Sequence, residues 1–399
     1  MRATSMKSIP RSDRGGMRRA LGIPVLAAVL ACCGGGSQSA SEPATPAAPV
    51  ASAQAPSAVG GGPREPMVPM MPSSREVREV LEKAYNAAKG VSEGKNADYI
   101  PILAKVDSKL FGISIVLANG ETSDIGDVRH PFSIQSISKV STFARILEDL
   151  GPDRVEKVVG TNQTGLPFNS VMAIELNEKH RAGNPFVNAG AITSVSLVPA
   201  NSAGDRWTRI LATMNVLAGR TLTVDDEVYR SESATNTRNR GMAWLLKSYK
   251  DVITGDPGVA LDLYTRQCSV SVTAHDLAVM GATLANGGTN PVTGQHVMSP
   301  ANAARVLSEM LTTGLYENSG SWSFHVGVPA KSGVGGGIVA VVPGRFAIGT
   351  FSPPLDEAGN SVRGQHAVES IAKDLSANIF ASNRQSAPSQ PIGLSGASR

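Results

Sequence analysis

Two apolar segments that fold back on themselves, one early in the chain and one late, constrain the fold more than any other feature. The first runs from Phe111 through Gly112-Ile113-Ser114-Ile115-Val116-Leu117 to Ala118 and meets Asn119-Gly120, a strong two-residue hairpin signal. The second runs from Gly337 to Val342, turns at Pro343-Gly344 and returns from Arg345 to Phe351. Between them, residues 140–315 are mostly helical in pattern. Thr273-Ala274-His275-Asp276 caps one helix that ends at Asn286-Gly287, and Ser299-Pro300 opens another. Outside the hairpins, Ser73-Ser74-Arg75-Glu76 has a capping-box pattern and opens a helix from Val77 to Lys89, with Val77, Val80, Leu81 and Ala84 on one stripe. A last helix is expected from Ala367 to Phe380. The expected architecture is α+β: an antiparallel sheet assembled from both chain ends, flanked by N- and C-terminal helices, beside an all-helical lobe, with a cleft between.

The 399 residues, 41% hydrophobic and 18% charged, can bury a large core, but the ends are not globular in composition. Arg2, Lys7, Arg11, Arg14, Arg18 and Arg19 against Asp13 put +5 into the first twenty residues, so the remainder carries about −1 of the total +4. Charge therefore gives no support to a nucleic-acid partner. The apolar run from Leu21 to Ala31 is short for a membrane span and leads into Val29-Leu30-Ala31-Cys32. It resembles a bacterial lipoprotein signal peptide, with Met17 as an alternative start. The expectation is a signal over residues 1–31, a lipid on Cys32 as the only membrane contact, and a place in the bacterial cell envelope on the periplasmic side. If the segment is not used as a signal, the expected place is the cytoplasm. Residues 32–72, rich in Gly, Ser, Ala, Pro and Gln, read as a flexible tether; a globular domain spans 73–382 and a disordered tail 383–399.

Chemistry points first to Phe132-Ser133-Ile134-Gln135-Ser136-Ile137-Ser138-Lys139. Ile137, Val140, Phe143, Ile146, Leu147 and Leu150 recur at helical spacing until Gly151-Pro152, which sets the Ser136-x-x-Lys139 step on the first turn of a core helix. Ser136 and Lys139 then share a face. A serine hydroxyl needs a base within reach and donors for the charge that develops on the carbonyl it attacks. The helical step offers the first, and a helix start with unpaired N–H groups offers part of the second. Alone, the step is equally a solvated lysine on an amphipathic helix. Lys331-Ser332-Gly333-Val334, placed just before the second hairpin, looks like the Lys-Thr/Ser-Gly strand that accompanies Ser-x-x-Lys in penicillin-recognising serine enzymes.

Longer stretches are more specific. Asp98-Tyr99-Ile100-Pro101, the Phe132 to Lys139 run, Asn184-Pro185-Phe186-Val187-Asn188-Ala189-Gly190-Ala191-Ile192 and Pro329 to Gly337 resemble the serine-dependent glutaminases, over about Glu76 to Leu375. The resemblance implies a β-lactamase-like fold and hydrolysis of L-glutamine to L-glutamate and ammonia with no cofactor. It implies Ser136 as nucleophile, Lys139 as its activating partner and Tyr316, in Gly314-Leu315-Tyr316-Glu317-Asn318, as an assistant in proton transfer. It also implies that Tyr99 lines the site and that Asn188, Glu232, Asn239, Tyr264 and Val334 contact glutamine. The family usually assembles as homodimers or homotetramers. Departures are few: Gln163-Thr164-Gly165 stands where the family more often has Pro-Ser-Gly, and the lipobox and tether are absent from most members.

Elementary chemistry agrees with these roles. Free glutamine carries an ammonium and a carboxylate, so a selective pocket needs an anion, here Glu232, and neutral donors, here Asn188, Asn239 and Tyr264. The N–H groups of Ser136 and Val334 are the candidate oxyanion hole. Duller readings remain: Asn188 as a turn or cap, Glu232 and Asn239 as a solvated face, Tyr264 and Tyr316 as core tyrosines, Cys268 as a small buried hydrophobe. Cys33, Cys268 and the six histidines have no metal-ligand spacing, so no metal is expected. Two other functions compete. A penicillin-recognising hydrolase needs a Ser-x-Asn step and an acidic deacylation loop, neither of which is evident. A non-catalytic amino-acid-binding lipoprotein would not need every one of these polar groups.

Overall fold

The computed structural model is described over residues 70–381. The segment expected to be a signal peptide, Cys32, the stretch read as a tether as far as residue 69 and the tail from residue 382 lie outside these residues. Eight strands occur in the described part: β1 (Gly112–Leu117), β2 (Thr122–Gly126), β3 (Phe132–Ser133), β4 (Thr223–Val224), β5 (Val270–Val272), β6 (Ala330–Gly333), β7 (Gly337–Val342) and β8 (Phe346–Phe351). Five form one antiparallel sheet in the order β2-β1-β8-β7-β6. The early and late hairpins are zipped together at β1 and β8, where Ile115 stands opposite Ile348.

Both faces of this sheet are covered, which is why β1, β7 and β8 read as near-continuous apolar runs. Ile113, Ile115, Leu117, Ile338, Ala340 and Ile348 pack in one core cluster with residues of the terminal helices Ser74–Ala88 and Val362–Asp374. Val116, Val339, Val341 and Ala347 join the other cluster, which includes the helix Ala274–Ala285 and continues into the lobe. The edge strand β2 alternates exposed and half-buried residues, as a strand with one solvated face should. In addition to helices, the lobe region holds a short antiparallel ribbon, β3-β5-β4. Strands of two or three residues are too short to show a period of two in the sequence.

Two local expectations need correction. The turn after β1 is longer than two residues: Leu117 N–H donates to the Glu121 carbonyl at 2.8 Å, and only Gly120 is left-handed, at φ +91°. Asn119 Oδ1 accepts the Glu121 N–H at 3.0 Å, a side-chain turn that competes with the two-residue form. The last helix runs Val362–Asp374 instead of Ala367 to Phe380. Ser361 Oγ caps it by accepting the Gly364 N–H, and Ser376, at φ +48°, follows its end. Arg363 in its first turn is buried and donates to the carbonyls of Val91 and Ser108, long-range bonds that no local pattern announces.

The helix Pro300–Thr313 carries a buried acid, Glu309, which is 4% exposed. Its carboxylate accepts from Thr313 Oγ1 at 2.8 Å, and burial pushes its pKa up to about 7 against that bond. A carboxyl raised in the folded state costs nothing below its unfolded pKa, costs progressively more up to about pH 7, and a constant amount above. Glu309→Gln is therefore expected to stabilise the fold at pH 8 by on the order of 3 kcal/mol and to change little at pH 5, read from urea midpoints. A variant equally stable to the parent at pH 8 would contradict this.

Candidate active site

Val140, Phe143, Ile146 and Leu147 bury the inner stripe of the helix Ser138–Leu150, which stops at Gly151, φ +77°. Ser136 lies just before it in a tighter 3₁₀ turn, Gln135–Ile137, and Gln135 takes φ +50°, an uncommon conformation for a residue with a Cβ. The end of β6 abuts this turn. A Cβ on Gly333 would stand 2.7 Å from the Ile134 carbonyl oxygen, so glycine is what lets Val334 follow so close to Ser136.

Tyr99, Gln135, Ser136, Asn188, Glu232, Asn239, Tyr264 and Val334 line one cleft. Lys139 lies beneath it, 1% exposed, where its Nζ donates to the Phe186 carbonyl at 2.9 Å and to Asn188 Oδ1 at 2.8 Å. Asn188 Oδ1 also accepts from the Tyr264 hydroxyl at 3.1 Å, and Asn188 Nδ2 donates to Asn239 Oδ1 at 2.9 Å. Gln135 Nε2 donates to Glu232 Oε2 at 3.2 Å and aims that carboxylate. Tyr316, at φ +55°, faces an adjoining cavity, and its ring packs at 4.6 Å on Phe168, which lines both spaces.

Burial sets the electrostatics. It pushes the Lys139 amine down to about 8 while the Glu232 carboxylate pulls it back up. It pushes Glu232 up to about 7, opposed by the Gln135 bond and by Lys139. The Tyr316 phenol is raised by burial and lowered by the Ser136 hydroxyl beside it. Tyr99 is 54% exposed as a residue and lines the cleft with one side, where desolvation and the nearby Tyr316 and Glu232 raise its phenol. Cys268, 1% exposed, has its thiol pushed up by burial and stays neutral. A hydroxyl lining a cleft, and an amine with a lowered pKa buried three residues on and bonded to Asn188 of the same cleft, are groups equipped for nucleophilic attack and proton transfer.

Of the nine residues singled out in the sequence, seven line this cleft, Lys139 is buried behind it on Asn188, and Tyr316 faces the adjoining cavity. Glu232 is 7% exposed and belongs to no solvated face; Tyr264 is a buried tyrosine whose hydroxyl is engaged in the site. Gln135, Phe168, Asn169 and Arg238 also line the cleft and were not singled out. Gln135 stood inside the Phe132 to Lys139 run, so a signal existed. Phe168 and Asn169 come from a loop, and only the folded chain brings them there.

A sheet sandwiched by helices, joined to a lobe with a serine turn at the junction, defines the β-lactamase-like fold. The probable glutaminase ybaS superposes with a TM-score of 0.76 at 47% identity, covering 78% of this chain and 100% of that one. A structure of Mglu in its glutamate form gives 0.73 at 39% identity, covering 77% and 70%. The family model named Glutaminase matches residues 94–380. The glutaminase of Colwellia psychrerythraea is 54% identical over 300 residues, 75% of this chain and 96% of that protein. The glutaminase of Mycobacterium ulcerans is 51% identical over 297 residues, 74% and 92% respectively. The chain belongs to the glutaminase family.

Proposed function

We propose that this glutaminase hydrolyses L-glutamine through an ester on Ser136. Lys139, in its neutral form, takes the hydroxyl proton as the oxygen attacks the side-chain amide carbon. The oxyanion is met by the N–H groups of Ser136 and Val334, neither of which has an acceptor among the described residues. Tyr316 gives its proton to the departing nitrogen and is refilled by the one held on Lys139, the C–N bond breaks, and ammonia leaves a γ-glutamyl ester. Water then splits the ester, releasing L-glutamate and returning the proton to Ser136. Glu232 receives the α-ammonium, and Asn188, Asn239 and Tyr264 orient the other polar groups.

The observation that carries this reading is the wholly buried Lys139 amine, one helical turn from a cleft-facing hydroxyl and held in place by Phe186 and Asn188. Its first test is ammonia release from glutamine but not from asparagine. Glu232→Gln is expected to raise KM for glutamine by about 10- to 100-fold and to change kcat less, because it removes the ammonium's counter-charge. In the parent, KM should fall as pH rises through about 7, where Glu232 ionises. An unchanged KM in the variant would remove Glu232 from the proposed contacts.

A further inference from the structure

Another cavity, of about 290 Å³, opens away from the Ser136 cleft and shares no lining residue with it. Phe143 and Leu147 of the helix Ser138–Leu150 and Val155 of the helix Pro152–Val158 give it an apolar wall. The helix Pro300–Thr313 supplies its polar side, with the buried Glu309 and the hydroxyl-bearing Ser308 and Thr312. One Glu309 carboxylate oxygen accepts from Thr313 Oγ1 at 2.8 Å; the other takes no donor among the described residues and is not sealed from the cavity. Arg305 and Glu156 are the other charged groups that line it, and both are exposed. Arg305 donates to Asn302 Oδ1 at 3.0 Å and forms no ion pair with Glu309 among the described residues. A buried carboxylate ordinarily has a cation or several donors, whereas Glu309 has one hydroxyl. An apolar cavity with a single uncompensated anion is complementary to a cation with an apolar body. A primary ammonium adds three N–H donors, enough for the free carboxylate oxygen and the nearby hydroxyls. Thr312 Oγ1 donates to the Ser308 carbonyl at 3.1 Å and so keeps its lone pairs for accepting.

We propose that this cavity is a second binding site, for a short primary alkylammonium whose charged end meets Glu309 and whose chain lies along Phe143, Leu147 and Val155. The site takes no part in the proposed hydrolysis, and its occupancy does not depend on that chemistry. Because the ligand needs Glu309 ionised, binding should strengthen as pH rises through about 7.

The test is a calorimetric titration of the full chain with n-butylammonium chloride. Binding is expected at pH 8 and about 30-fold weaker at pH 5.5, where Glu309 is protonated. n-Butanol, with a like chain and no charge, should bind at least about tenfold more weakly at pH 8. Glu309→Gln should lose binding by about tenfold or more, and Glu232→Gln, in the other cleft, should keep it within about threefold. No binding to the parent, equal affinity for n-butanol, or unchanged affinity in Glu309→Gln overturns the proposal. Loss in Glu232→Gln in place of Glu309→Gln puts the amine in the Ser136 cleft and overturns it as well. If Glu309→Gln does not fold, the pH dependence and the n-butanol comparison in the parent decide: affinity equal at pH 5.5 and pH 8 overturns the site.

Discussion

Ser136→Ala is expected to lower kcat for ammonia release from L-glutamine by about 10⁴-fold or more, because it removes the hydroxyl proposed to form the ester. Ser136 is a small side chain, 6% exposed, at the floor of the cleft, so alanine leaves the packing in place. Binding of L-glutamate should survive, since Glu232, Asn188, Asn239 and Tyr264 are untouched. Two measurements separate loss of chemistry from loss of the site: calorimetric binding of glutamate to the variant, and rapid-quench mass spectrometry of the parent, in which a glutamyl adduct should appear on the Ser136 peptide. A variant within tenfold of the parent, or an adduct on another residue, would end the nucleophile assignment.

Lys139→Met is expected to cost about 10³-fold in kcat without costing stability. The amine is pushed down to about 8 by burial, so its folded pKa lies below the unfolded value. Such a group penalises the fold as pH falls from about 10.5 to about 8, and by a constant amount below that, on the order of 3 kcal/mol. Removing it relieves that penalty, offset by the donors that Phe186 and Asn188 lose. The melting temperature at pH 7 should therefore hold or rise while activity collapses. In the parent, kcat should increase with pH through about 8 as Lys139 loses its proton and becomes a base; in the variant that limb should vanish. A limb that persists in Lys139→Met would assign the base to another group.

Much of this site was legible because its geometry is local. The spacing expected Ser136 and Lys139 on the first turn of one helix, whereas Ser136 stands in a 3₁₀ turn and only Lys139 is on the α-helix that follows. Gly333 and its neighbours announced a close backbone approach, and the capping pattern at Thr273 appears as a full capping box. Glu232 and Asn239 were ambiguous for the opposite reason. They lie on two separate helices, Asp226–Thr235 and Thr237–Ser248, and the carboxylate of the buried Glu232 is held by Gln135, 97 residues earlier. Arg363, buried against distant carbonyls, hid the start of the last helix in the same way.

By itself, the sequence determined the two hairpins, the existence of the terminal helices and the core helix that carries Lys139, since strand runs, caps and helical spacing act over a few neighbours. Only the tertiary structure decided what those residues are chemically. The lowered Lys139 amine and the raised Glu232 carboxyl both depend on exclusion of water and on bonds between residues far apart in the chain. Desolvation is a property of the whole packed surroundings, and no stretch of sequence contains it.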